Sequence, residues 1–212
     1  MYTHYFFDFD YTLADSSEGI VGCFHRTMEE WGLPRAADET ITRTIGIPME
    51  KAVGIIIESE DAAEINRFIT AYKKYAGPYM TPGTHFYPST VPTLTELKRR
   101  GAVTAIVSSK TGFRVQEKFT VTGTEHLIDL IIGSHDVKNL KPDPEGFFLA
   151  LERLWGRPET TLYVGDSVTD ALTAKNAGVD FVGVTTGVTP REELEALPHL
   201  LIAEDLSEIL RL

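Results

Sequence analysis

Short, nearly continuous apolar runs recur along most of the chain, at residues 4–9, 103–108, 130–133, 162–165 and 181–185. Each is rich in β-branched or aromatic residues, and uninterrupted runs of this length predict strands covered on both faces. Segments with apolar residues three or four apart lie between most of them, at 91–100, 112–119, 144–155 and 169–177, and predict helices. Alternation of this kind implies βαβ units, and so an α/β fold whose mostly parallel, Rossmann-like sheet carries helices on both faces.

Residues 16–76 break the rhythm, because they hold only helical patterns. Ile20, Phe24, Met28 and Trp31 share one face, as do Ile65, Phe68, Ile69 and Tyr72. Asp38 and Asp61 are expected N-caps, and Pro34, Pro48, Gly77 and Pro78 punctuate the segment. The pattern predicts a small all-α domain, residues 15–81, inserted after the first strand into an α/β core of residues 1–14 and 82–212. Residues 77–92, with Pro78, Pro82, Gly83, Pro88 and Pro92, read as the returning linker.

A chain of 212 residues can build one core and a small accessory domain. Its net charge of -11 disfavours nucleic acid and anionic membranes as partners. The densest basic run, Lys98-Arg99-Arg100, reads as a helix end before Gly101, where cations complement the helix dipole. The single cysteine, Cys23, has no disulfide partner and no zinc-type spacing, so a buried thiol is expected. The opening residues lack the basic start and long apolar run of a signal peptide, and no stretch reaches about 18 apolar residues. A cytoplasmic protein, monomeric or a small homo-oligomer, is expected.

The candidate chemistry sits at strand ends. Asp8 and Asp10 close the first strand on one side of an extended chain. Two such carboxylates fit a magnesium ion, which takes hard oxygen ligands, and alone they also fit an exposed strand end. Gly165-Asp166-Ser167 closes the strand at 162–165, and Asp170 follows Asp166 by about one helical turn. Ser108, with Ser109 and Lys110, ends the strand at 103–108; Lys141 lies in a proline-stiffened loop with Pro142 and Pro144. Each reads singly as a turn former, a helix cap or a solvated charge. Together they fall on the carboxyl edge of one parallel sheet, where open α/β sheets bind ligands. The residue types suit phosphoryl transfer: a carboxylate nucleophile, cations to offset phosphate repulsion, a hydroxyl for a phosphoryl oxygen, and a second acid for proton transfer.

At these residues the chain resembles the haloacid dehalogenase superfamily, in its phosphatase branch. Asp8-Phe9-Asp10-Tyr11-Thr12-Leu13 is similar to the family's first motif, Ser108 to the second, Lys141 to the third, and Gly165-Asp166 with Asp170 to the fourth. The resemblance implies Asp8 as nucleophile and Asp10 as general acid and base. It implies magnesium held by Asp8, the Asp10 backbone carbonyl and Asp166, with Asp170 behind them. Ser108, Ser109 and Lys141 would bind the substrate phosphate. The inserted helices resemble the family's small cap, and Thr44-Ile45-Gly46-Ile47-Pro48 resembles a cap segment of phosphoglycolate phosphatase-like members. A small phosphorylated metabolite is the implied substrate, docked beneath the cap.

Two features depart from the pattern. Tyr11 stands where most relatives carry glycine, and a tyrosine does not readily take positive φ. Ser89-Thr90 replaces the usual Pro-Gly turn, with Thr84-His85-Phe86 inserted nearby. The same catalytic set would serve a β-phosphoglucomutase-type phosphomutase, a pyrophosphatase or a nucleotidase. Arg43 and Lys51 read as solvated helix charges rather than a mutase's substrate arginine. Asp10 argues against a dehalogenase. A phosphate-accepting receiver module is disfavoured, because the strand at 130–133 lacks its phosphorylated aspartate. Trp31, Tyr72, Tyr75 and Tyr79 are candidates for pocket lining or for core packing.

Overall fold

The apolar runs form a six-stranded sheet in the computed structural model, which describes residues 2–212. Its strands are β1 (His4–Phe7), β2 (Val103–Val107), β3 (Leu130–Ile132), β4 (Thr161–Gly165), β5 (Asp180–Val184) and β6 (Leu201–Ala203). They lie in the order β3-β2-β1-β4-β5-β6, and every pairing is parallel. β1 is central: Phe7 stands opposite Ile106 on β2 and Val164 on β4.

Both faces are covered, which is why the strands read as unbroken apolar runs. On one face Phe6 and Tyr163 pack with Phe147 of α7 (Glu145–Arg153) and with Ala171 and Ala174 of α8 (Val168–Ala177). On the other, Phe7 and Val164 pack with Leu94 and Leu97 of α5 (Thr90–Arg99) and with Val115 and Phe119 of α6 (Gly112–Thr122). A last helix, α9 (Arg191–Glu195), precedes β6. The three-residue strand β6 is not among the predicted apolar runs.

The chain divides into two compact units: the segment up to Ala14 with Phe86–Leu212, and Asp15–His85. The second is helical and contains α1 (Ser17–Glu30), α2 (Asp38–Thr42), α3 (Met49–Ile56) and α4 (Ala62–Met80). Its interior is built from Cys23, Phe24, Met28, Phe68 and Tyr72. Phe24 lies 4.9 Å from Tyr72 and Trp31 lies 5.2 Å from Phe68, ring to ring, so these aromatics take the packing role. Tyr75 and Tyr79 meet edge-on, and their hydroxyls are bonded to Glu30 and Arg26. Arg43 pairs with Glu39 at the surface.

Two local expectations are corrected. The returning linker does not begin at Gly77, because α4 runs through Pro78 to Met80. The proline removes one helical bond, but Met80 is buried and Thr84 Oγ1 donates to its carbonyl at 2.7 Å. Asp61 caps α4, accepting from the Ala63 N–H at 2.8 Å, whereas Asp38 is the first helical residue of α2 and Ala37 is its cap. The Asp38 carboxylate lies 3.2 Å from His25 Nε2 instead. Among the described residues, no helix is long and apolar enough to cross a membrane.

Candidate active site

The strand order reverses at β1, with β2 on one side and β4 on the other, and such a switch point opens a crevice beyond the carboxyl ends. Asp8 and Asp10 follow β1, Ser108 and Ser109 follow β2, Lys141 lies in the loop after β3, and Asp166 follows β4.

The Asp8 N–H donates to the Val164 carbonyl at 2.9 Å, which ties the first motif to β4. The chain then turns tightly, with the Thr12, Leu13 and Ala14 N–H groups converging on the Phe9 carbonyl. Tyr11 takes φ 61 in this turn, contrary to the expectation for a tyrosine. A left-handed residue with a Cβ costs roughly 1–2 kcal/mol. Its N–H donates to Ala14 O at 2.7 Å, its carbonyl accepts from Thr186 Oγ1, and its ring is buried, so the surroundings hold it there. The turn delivers Thr12 Oγ1 to Asp166 Oδ1 at 2.9 Å.

Asp166 and Asp170 flank Ser167, which is the N-cap of α8. Ser167 donates its hydroxyl to Asp170 Oδ2 at 2.6 Å and its N–H to the same oxygen at 3.1 Å. Asp170 Oδ1 accepts from Lys141 Nζ at 2.6 Å and from the Tyr163 hydroxyl at 3.0 Å. Both oxygens of Asp170 are thus engaged. Gly165 is required here, since a Cβ would fall 2.4 Å from the Asp170 side chain. Gly187 plays the same part for Asp166: a Cβ there would lie 2.0 Å from Oδ2.

Oxygens of Asp8, Asp166 and Asp170 all lie within 4.8 Å of one another, and all three residues are buried. Lys141 Nζ lies 2.9 Å from Asp8 Oδ1, an ion pair without hydrogen-bond alignment, and that oxygen accepts no hydrogen bond among the described residues. The Asp10 carboxylate stands outside this group and pairs with Lys110 Nζ at 2.8 Å. Ser108 is buried, and its Oγ accepts the Lys110 N–H at 3.2 Å. The Ser109 hydroxyl is buried without a partner among the described residues.

Burial sets the electrostatics. It raises the Asp8 carboxyl from 3.8 to about 6, against the pull of Lys141 and with the help of Asp170 and Asp10. Burial, then Asp170 and Asp8, hold Asp166 well above the carboxylate range. Burial alone would lower Lys141, but Asp170 and Asp8 outweigh it and keep the ammonium charged. Burial and the Asp170 charge push the Tyr163 hydroxyl far up, so it stays protonated and donates.

The acids fit a divalent cation. The donor set is all oxygen, Asp8 Oδ1 has only the misaligned Lys141 ammonium beside it among the described residues, and one ammonium cannot neutralise three close carboxylates. The sequence reading named Lys110 beside Ser108 and Ser109 without giving it a role, and it missed Tyr163 and Gly187 as site residues. Lys110 carried a faint signal in its position directly after Ser108 and Ser109 at a strand end. Tyr163 carried one as a hydroxyl in an otherwise apolar strand.

Comparison with known proteins defines the class. The family model for haloacid dehalogenase-like hydrolases matches residues 5–184, and the chain belongs to that family. It is 33% identical over 208 residues to the protein of Dickeya dadantii named "Probable phosphatase IndB", covering 96% of this chain and 90% of that one. It is 28% identical over 204 residues to pyrophosphatase PpaX of Bacillus mycoides, covering 96% and 93%. A solved haloacid dehalogenase-like hydrolase from Bacteroides fragilis superimposes with a TM-score of 0.94 at 44% identity, covering 99% of this chain and 100% of that one.

Proposed function

We propose that this chain is a magnesium-dependent phosphatase that hydrolyses a small phosphorylated metabolite through an aspartyl-phosphate on Asp8. The observation that carries the reading is the division of the acids. Asp8, Asp166 and Asp170 gather around one locus with Lys141, while Asp10 is held apart by a lysine of its own.

In this reading Asp8 attacks phosphorus, forming a P–O bond as the bond to the leaving oxygen breaks, and Asp10 gives that oxygen its proton. Asp10 then takes a proton from water, whose oxygen attacks phosphorus and releases Asp8. Lys141 faces the anionic phosphoryl group, and the Ser108 and Ser109 hydroxyls hold its oxygens. Asp170 fixes Lys141 rather than touching substrate. A magnesium ion bound by Asp8, Asp166 and the Asp10 carbonyl would offset the repulsion between phosphate and carboxylate, ~4 kcal/mol per charge pair at ~4 Å and an effective dielectric near 20. We place the activity in the cytoplasm, where a lone buried thiol such as Cys23 remains reduced.

Purified protein given 4-nitrophenyl phosphate should release phosphate with magnesium and stop with EDTA. Turnover unaffected by EDTA would contradict the metal assignment. A second reading, hydrolysis of inorganic pyrophosphate, is favoured by the similarity to PpaX. A higher kcat/KM for pyrophosphate than for any small monoester would select it.

A further inference from the structure

The loop after β2 carries a second buried ammonium to which the reading above gives no task. Lys110 Nζ lies 2.8 Å from Asp10 Oδ1, and the two side chains are 8% and 8% exposed. The other ammonium, Lys141, is bound to Asp8 and Asp170, so the two lysines divide the acids between them.

The Lys110 backbone is clamped. Its N–H donates to Ser108 Oγ at 3.2 Å, and its carbonyl accepts the Ser134 N–H at 3.1 Å. Gly133 passes so close that a Cβ there would lie 2.8 Å from Lys110 O and 2.2 Å from Gly112 N. At the other end, the ammonium sits 5.8 Å from the centroid of the Phe9 ring. The side chain is therefore fixed where it starts and where it ends.

Stability is a poor reason for such a pair. Taking two ions out of water costs several kcal/mol each, and apolar replacements of buried pairs are often neutral or stabilising. What the pair does supply is a fixed carboxylate. Asp10 must meet the leaving oxygen in one orientation, and misplacement by about 1 Å can cost about a hundredfold.

We propose that Lys110 is a positioning residue whose ammonium holds Asp10 at Oδ1, so that the carboxyl group, protonated before transfer, gives its proton to the leaving oxygen from its other oxygen. The proposal rests on the phosphatase reading. It makes Lys110 matter in proportion to how much protonation the leaving group needs. Nitrophenolate leaves almost unaided, whereas phenolate leaves slowly unless it is protonated.

The test is single-turnover formation of the phosphoenzyme by wild type, Lys110→Met and Lys110→Arg, with 4-nitrophenyl phosphate and with phenyl phosphate. Lys110→Met should slow the phenyl reaction at least about tenfold and the nitrophenyl reaction less than about threefold, with KM changed less than about threefold for both. Lys110→Arg should restore most of the loss. Lys110→Gln keeps a donor without the charge and gives the same comparison should Lys110→Met fail to fold. Equal losses on both substrates with a raised KM would overturn the proposal, because Lys110 would then bind phosphate directly. No loss on either substrate would overturn it as well. Wild type inactive on both would instead defeat the phosphatase reading, and the proposal with it.

Discussion

The helical unit fills its interior with Phe24, Phe68, Tyr72, Met28 and Val53. The α/β unit has an interior of the same kind, but at the carboxyl edge of its sheet it also buries Asp8, Asp10, Asp166, Asp170 and Lys141. The first arrangement gains by removing apolar area from water, about 1.5–3 kcal/mol for each large side chain. The second holds four acids out of water against fewer cations, and burial first, with the neighbouring carboxylates adding to it, raises Asp8 and Asp166 above their ordinary range. A fold tolerates such a cluster when the groups that strain it also bind and react. The comparison teaches that stability and function are built in different places, and it makes opposite predictions for the two.

The largest effect belongs to Asp8. Asp8→Asn should cost at least about a thousandfold in turnover while raising the stability of the metal-free protein, because it removes a charge from a crowded site. Turnover and the denaturant midpoint, measured on one preparation, check both halves. An Asp8→Asn protein both inactive and less stable would break the comparison.

Next comes Lys141. Lys141→Met leaves Asp8 and Asp170 without their cation and should destabilise by about 3–5 kcal/mol in denaturant titration. That cost should shrink when Asp8→Asn is added, since the two residues are in contact. Phe68→Ala, in the helical core, should cost about 3 kcal/mol and should add to Asp8→Asn without coupling. Coupling in the Phe68 pair, or none in the Lys141 pair, would contradict the division.

The smallest effect is a dependence on pH. The native Asp8 keeps its proton up to about 6, whereas its ordinary value is 3.8. Between those values the native state holds a proton that the unfolded chain has released, so stability contributed by this group falls as pH rises through the window. The midpoint of the metal-free wild type should therefore fall relative to Asp8→Asn as the pH rises from about 4 to about 6. A difference that stays flat across this range would remove Asp8 as its source.

Much of this was legible in the sequence, for physical reasons. Strands buried on both faces must be apolar throughout, so β1, β2, β4 and β5 stand out from the helices around them. The acids stand at the strand ends, so the motifs marked the edge where Asp8, Ser108, Lys141 and Asp166 meet. What depends on contacts distant in sequence did not show. Pro78 looked like a stop, but packing around Met80 carries α4 past it. A tyrosine at φ 61 is predicted by no local rule; Tyr11 adopts it because Thr186 and Ala14 bond its backbone. Lys110 stood beside Ser108 and Ser109 with no role of its own, and its meaning lies in Asp10, a hundred positions away in the chain.

The central claim is that Asp8 carries the phosphoryl group, and covalent trapping tests it most directly. Protein mixed with phenyl phosphate and magnesium, quenched in acid within milliseconds and digested, should show one phosphoryl mass on the peptide containing Asp8. The signal should vanish in Asp8→Asn and in EDTA. Turnover with no covalent phosphate on that peptide, or with phosphate on another residue, would contradict the account.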